Sequence, residues 1–152
     1  MTDALDATAA VRAAAFERNF ADALDAAARW LGARRTRSAC DYGEFGDWWS
    51  GGVRFLLQRT RLLPALLGAG PTDVALIGVH LKQIAVPVAY RRRGYASRVL
   101  DRLLVEARAA GLDYVLVESV ITEEMHALMR ARSEFALVPH GYRDCYVARL
   151  LE

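Results

Sequence analysis

Apolar residues recur near every fourth position early in the chain. Phe16, Phe20, Leu24, Ala27 and Leu31 fall on one helical face, while Arg18, Asp22, Asp25 and Arg29 fall elsewhere, so residues 3–31 read as one helix. Gly32 supplies a stop. Between Ala33 and Gly52 the periodicity breaks. A basic cluster (Arg34, Arg35, Arg37), several glycines and the pair Trp48-Trp49 suggest short strands joined by turns. Val53 to Leu57 fits either a strand or a helix start, and Pro64 limits any helix through 59–67. Val74 to Val86 is a long β-prone run whose alternation changes phase. Ile77, Val79 and Leu81 sit on odd positions, Ile84 and Val86 on even ones, so a β-bulge is expected near Lys82-Gln83 before Pro87 ends the ladder. After Gly94 the stripe Val99, Leu100, Leu103, Leu104, Ala107 writes an amphipathic helix that Gly111 terminates. Tyr114 to Val120 reads as a strand. Thr122 can cap a further helix with Glu123 and Glu124 in its first turn and Met125, Leu128 and Met129 inward. Phe135 to Val138 and Tyr142 to Leu150 read as two final strands around a Pro139–Gly141 turn that includes His140.

Strands alternating with helices in this order predict an α/β fold, and 152 residues without a repeat or linker predict one domain over 1–152. Hydrophobic residues at 54% and charged residues at 25% exclude a disordered chain. The basic residues are all arginine except Lys82, and a net charge of +2 is too even to mark a nucleic-acid binder by itself. The longest uncharged stretch, Leu62 to Thr72, is shorter than the ~18 residues a membrane span needs and holds Pro and Gly, so no membrane association is expected. Asp3 and Asp6 stand where a signal peptide needs positive charge, which points to the cytoplasm. Cys40 and Cys145 give neither a disulfide framework nor a metal-ligand spacing, and no metal is expected.

The candidate chemistry lies in Ile84 to Ser97, a bulged strand followed by Arg91-Arg92-Arg93-Gly94-Tyr95-Ala96 and a helix. A glycine loop opening a helix points backbone N–H groups outward at the positive end of the helix dipole, where they bind phosphate oxygens, and three arginines add charge. A bulge leaves ladder groups unpaired and free to hydrogen-bond an extended ligand. Together these describe a cleft for a pyrophosphate at one end and an amide-bearing arm at the other.

At these residues the sequence resembles the GNAT superfamily of N-acetyltransferases. The acyl-CoA signature Gln/Arg-x-x-Gly-x-Gly/Ala reads here as Arg91-x-x-Gly94-x-Ala96, after a strand ending Ile84-Ala85-Val86-Pro87. The resemblance covers about residues 74–150, which would be the CoA-binding half, and does not extend over 33–70. It implies a mixed, mostly antiparallel sheet with helices on both faces and a splayed, bulged central strand. It also implies direct transfer of an acetyl group from acetyl-CoA to an amine of a small molecule or protein. The pyrophosphate would lie on Arg91, Arg92, Arg93, Gly94, Tyr95, Ala96 and Ser97. The pantetheine arm would run along residues 84–88, from Ile84 through Val86, between this strand and the one at 114–120. The N–H near Val86 would stabilise the tetrahedral oxyanion. Where family members have Asn early in the following helix, this chain has Thr122-Glu123. Where they have a Tyr four residues before a Gly-Phe pair, it has Arg130 and Glu134-Phe135. The Tyr acid that protonates the leaving thiolate is therefore absent from its place, and either another group does that work or the thiolate leaves unaided.

Glu118 leads as the base, because it lies near the C-terminal end of the strand that would line the acceptor side. His80 and His126 read as structural. Tyr142 and Tyr146 could reach the cleft from the last strand pair, with core packing as their default, and Cys145 reads as an inert small hydrophobe. Trp48-Trp49 fits an acceptor-pocket wall and core packing equally. Two alternatives stay open: a non-catalytic acyl-CoA-binding or regulatory module, and a same-fold enzyme acting on a nucleic-acid-linked amine, for which the basic residues 34–37 give some footing. A homodimer is compatible with either.

Overall fold

The computed structural model describes residues 2–33, 45–50, 53–62, 76–87, 90–91, 93–118, 123–140 and 143–150. Three helices and six strands follow in the order α1 (Thr2–Ala33), β1 (Phe45–Ser50), β2 (Val53–Leu62), β3 (Leu76–Ala85), α2 (Tyr95–Ala109), β4 (Tyr114–Val117), α3 (Glu123–Arg130), β5 (Ala136–His140) and β6 (Arg143–Arg149). The strands form one sheet in the order β1-β2-β3-β4-β6-β5. Among the described residues only β3 and β4 pair in parallel; the other four pairings are antiparallel. The mixed, mostly antiparallel sheet expected from the sequence is thus the architecture observed.

Alternation along the strands sorts the side chains onto two faces. Ile77, Val79 and Leu81 of β3, Val115 and Val117 of β4, and Tyr146 and Ala148 of β6 join the main core. Phe16, Phe20, Leu24, Ala27 and Leu31 of α1, the whole expected stripe of α2, and Met129 of α3 bury against it, with Met125 and Leu128 half-buried at its margin. Tyr114, Leu116, Cys145 and Val147 form a smaller cluster on the opposite face. The helices were expected on both faces; among the described residues all three lie over one. Chain topology gives the reason. The connections β3–α2–β4 and β4–α3–β5 cross the sheet in the same direction between parallel strands, so right-handed crossovers place both helices on one side.

Local stops hold the sheet in register. Gly111 takes a left-handed conformation (φ 74°), and the N–H groups of Gly111 and Leu112 donate to the carbonyls of Arg108 and Ala107, a Schellman closure of α2. The next residue, buried Asp113, accepts a 2.8 Å hydrogen bond from the Ile77 N–H through Oδ2, and its own carbonyl accepts from the Leu150 N–H. One residue, through its carboxylate and its backbone, therefore ties the starts of β3 and β4 to the end of β6. At Gly78 a Cβ would stand 2.6 Å from the Tyr114 ring, so only glycine leaves room for that ring across the parallel pair.

Val53 to Leu57, which fitted a strand or a helix start, is part of a strand that runs to Leu62 and pairs on both edges, with β1 and with β3. Two readings are corrected. The strand beginning at Tyr114 ends at Val117, where its partners run out, and Glu118 already follows it; 119–120 of that reading lie outside the described residues. Pro139 and His140 belong to β5, opposite Asp144 and Arg143, rather than to a turn; β5 is the sheet's edge, where a proline's missing N–H costs no ladder bond. The readings on Arg34–Arg37, Cys40, Pro64, Arg92, Thr122 and Tyr142 lie outside the described residues.

Candidate functional site

The bulge falls where the phase change placed it. Leu57 of β2 pairs with Leu81 and Leu56 pairs with Gln83, so Lys82 is the extra residue of β3. This slip lets Ile84 and Val86 reach the same core that Ile77, Val79 and Leu81 fill from the other parity. The parallel ladder with β4 ends at the same level. Its last pair is Leu81 with Val117, followed by the Glu118 N–H donating to the Leu81 carbonyl at 3.1 Å. From Gln83 to Ala85, β3 keeps its β2 partner on one edge and has no β4 partner among the described residues on the other. An extended ligand with amides could pair with that edge.

A turn leads from this strand to α2. The Tyr90 N–H donates to the Pro87 carbonyl at 2.9 Å, and Arg91 Nε donates to the Val86 carbonyl at 3.0 Å. Gly94 caps α2 with φ 82° and ψ 10°, a left-handed conformation that disfavours any side chain, and its carbonyl accepts the first helical bond, from Arg98. Among the described residues no side chain caps this end, which leaves the N–H groups of its first turn to face an anion. Arg91 and Arg93 are exposed beside it. Helix α1 fixes the loop from behind. Phe16 stacks on Tyr90 (3.9 Å, 5°), and the Tyr95 hydroxyl donates to Glu17 at 2.8 Å, as does Arg98. Those bonds hold the Glu17 carboxylate below the usual carboxylate range. Tyr95 thus spends its side chain on α1 and offers the site only its backbone. Ser97 Oγ accepts from Arg132 Nη1 at 2.9 Å, leaving its own proton free to donate.

On the face opposite the helices, the ends of β3 and β4 carry a connected polar group. Glu118 accepts from Lys82 Nζ at 3.0 Å and lies 3.2 Å from His80 Nδ1; the other imidazole nitrogen is 3.1 Å from the Tyr114 hydroxyl. Burial raises the pKa of the Tyr114 phenol. The Glu118 carboxylate can only accept, so Nδ1 donates to it, and Nε2 of the neutral imidazole then accepts from the phenol. Burial alone would push the Glu118 carboxyl up, but the bonds and charges of Lys82 and His80 outweigh it and leave it below the ordinary range. The same face carries Arg54, held by Asp47 in a two-pronged pair and donating to Gln83 Oε1 at 3.0 Å. On the helix side, the buried Tyr146 hydroxyl lies 3.0 Å from His126 Nδ1, one strand over from Val117.

Of the residues singled out in the sequence, Ile84, Val86, Arg91, Arg93, Gly94, Tyr95, Ala96 and Ser97 fall on one continuous strand–turn–helix unit. Glu118 stands across the parted strands from it. Arg130 is exposed on the last turn of α3. Trp48 packs edge-on to Trp30 of α1 as part of the core margin. Lys82 was not singled out beyond its place in the bulge, and the grouping of His80, Lys82 and Glu118 depends on the register of the parallel pair. Among the described residues no cluster of His, Cys, Asp or Glu is placed to hold a metal ion, and no helix is long and apolar enough to cross a membrane.

Comparison with known proteins agrees with this layout. The fold matches the solved structure of AtaT complexed with acetyl-methionyl-tRNAfMet (14% identity, TM-score 0.50, 64% of this chain and 62% of that one). It also matches a structure described as a bacterial toxin (13% identity, TM-score 0.50, 65% and 60%). The chain thus spans about three fifths of the length of these solved proteins. No curated protein sequence matches it. The acetyltransferase (GNAT) family model matches residues 33–131, a span containing the bulged strand, the Gly94 turn, α2 and Glu118, and by that match this chain belongs to the GNAT family.

Proposed function

We propose that this protein is an acetyl-CoA-dependent N-acetyltransferase that moves the acetyl group directly to an amine of a small molecule or protein. The observation that carries the reading is the half-paired, bulged end of β3 running into the Gly94-capped helix, in a chain of the acetyltransferase family. In this reading Arg91, Arg92, Arg93 and the first-turn N–H groups from Gly94 to Ser97 hold the pyrophosphate. The arm pairs with the free edge from Ile84, and the Val86 N–H stabilises the oxyanion as the amine adds to the thioester carbonyl. Glu118, an anion on the open face, draws the acceptor's ammonium and takes its proton. Because its carboxyl sits low, the transfer gains as the amine itself deprotonates, and turnover rises with pH. On the thiolate side, with Arg130 where a Tyr acid would stand, the hydrogen-bonded pair Tyr146 and His126 supplies the proton. A cytoplasmic setting belongs to the same proposal.

The test is release of free thiol from acetyl-CoA against a panel of small amines, peptides and charged transfer RNA, with the acetylated product identified. The RNA arm is included because the AtaT structure holds acetyl-methionyl-tRNAfMet, and activity there should fall steeply with salt. Tight acetyl-CoA binding with no turnover across the whole panel would instead make the chain a binding module.

A further inference from the structure

Lys82 is the only lysine in the chain, so apart from the N-terminus it is the only primary amine. It is also the bulged residue at which β3 loses its β4 partner. Its ammonium crosses the gap and rests on Glu118 at 3.0 Å, on the face opposite the helices. Val86, whose N–H would hold the thioester carbonyl, lies four residues further along the chain, ~13 Å at strand spacing. A chain that keeps arginine at every other basic position has thus placed its one acetylatable side chain beside the acceptor carboxylate. The side chain is partly exposed, at 29%, so the amine is accessible from the open face.

We propose that Lys82 is an acetyl acceptor within the protein itself: bound acetyl-CoA acetylates its Nζ. The inference rests on the acetyl-CoA reading above. In the step, the Lys82 ammonium first gives a proton to solvent through Glu118, and the free amine attacks the thioester carbonyl carbon. A C–N bond forms and the C–S bond breaks; of the second amine proton and the leaving thiolate, one neutralises the other. The net change is one ammonium and one thioester to one amide, one free CoA thiol and one released proton. The product carries no charge at Lys82, so the Glu118 carboxylate loses its cation and becomes a stronger base toward an external amine. Acetylation of Lys82 therefore primes the acceptor side, and the Lys82–Glu118 pair is the resting form of the site.

The experiment incubates the purified full chain with acetyl-CoA and no acceptor, following intact mass and mapping the modified peptide. The expected result is one acetyl group on Lys82, at a rate that saturates with acetyl-CoA and is blocked by the unreactive analogue desulfo-CoA. Lys82→Arg, which keeps the cation on Glu118, should fold, bind acetyl-CoA and gain no acetyl group. Binding is measured on the same samples by calorimetry. Wild-type protein that binds acetyl-CoA and stays unmodified at Lys82 overturns the inference and leaves the acetyl-CoA reading standing. Protein that does not bind overturns both. Acetylation confined to the N-terminus, or one that is non-saturable and indifferent to desulfo-CoA, is ordinary solution chemistry and also overturns it.

Discussion

Gly94 separates backbone strain from electrostatics at the proposed phosphate cradle. Its φ of 82° is left-handed, and a Cβ placed there would meet nothing within 4 Å. Gly94→Ala therefore costs conformation without a clash, about 1–2 kcal/mol, or about 2–8 °C in Tm for a chain of this length. Its open surroundings leave room for a phosphate, so Gly94→Ala should keep most of the affinity for CoA. Gly94→Glu carries the same backbone cost and adds a carboxylate at the helix N-terminus. At ~5 Å from a phosphate, with an effective dielectric of ~20, the repulsion is about 3 kcal/mol, a loss of about 10²-fold in affinity. Thermal shift gives the assay: at 100-fold excess over Kd, a ligand that binds only the native state adds about 2.7 kcal/mol of stability. Wild type and Gly94→Ala should both show the acetyl-CoA shift from their own baselines, and Gly94→Glu should show almost none. A folded Gly94→Glu protein with wild-type affinity would mean that the phosphates bind elsewhere.

Three further outcomes are expected. Arg91→Ala should weaken CoA by about 1.5–3 kcal/mol and leave pantetheine nearly unaffected; equal losses for both ligands in calorimetry would assign Arg91 to holding the Val86 carbonyl alone. Glu118→Gln should keep acetyl-CoA affinity and lower turnover by ~10²-fold. Its Tm should also fall below wild type at neutral pH, with the two curves converging as pH drops through the carboxylate range below ~4.3, because a carboxyl depressed in the folded state contributes stability only above that range; unchanged turnover would remove Glu118 from the chemistry. Leu103→Ala, at a core position of α2 that is 2% exposed, should cost about 2–5 kcal/mol in denaturant unfolding with little change in CoA affinity.

Much of this molecule was written locally. The faces of α1 and α2 follow from apolar spacing alone, and every residue of the α2 stripe is buried. The bulge could be read because a one-residue slip exchanges the parity of the apolar positions, and Lys82 is the residue at which Ile77, Val79 and Leu81 hand over to Ile84 and Val86. The Gly94 turn was legible for the same reason: a left-handed helix cap demands glycine and marks the sequence at that point. Pairing between distant segments left no such mark. Val53–Leu57 was ambiguous because its strand character depends on partners on both edges. Pro139 and His140 looked like a turn because nothing local reveals that their strand lies at the sheet's edge. That α2 and α3 share one face came from the direction of two crossovers. The register of β3 against β4 brought Glu118 to Lys82 and His80, residues 36 and 38 positions away, and that register alone turned an ordinary strand-end glutamate into part of a charged network. Side-chain chemistry is encoded residue by residue, but which charges meet is settled only when the sheet closes.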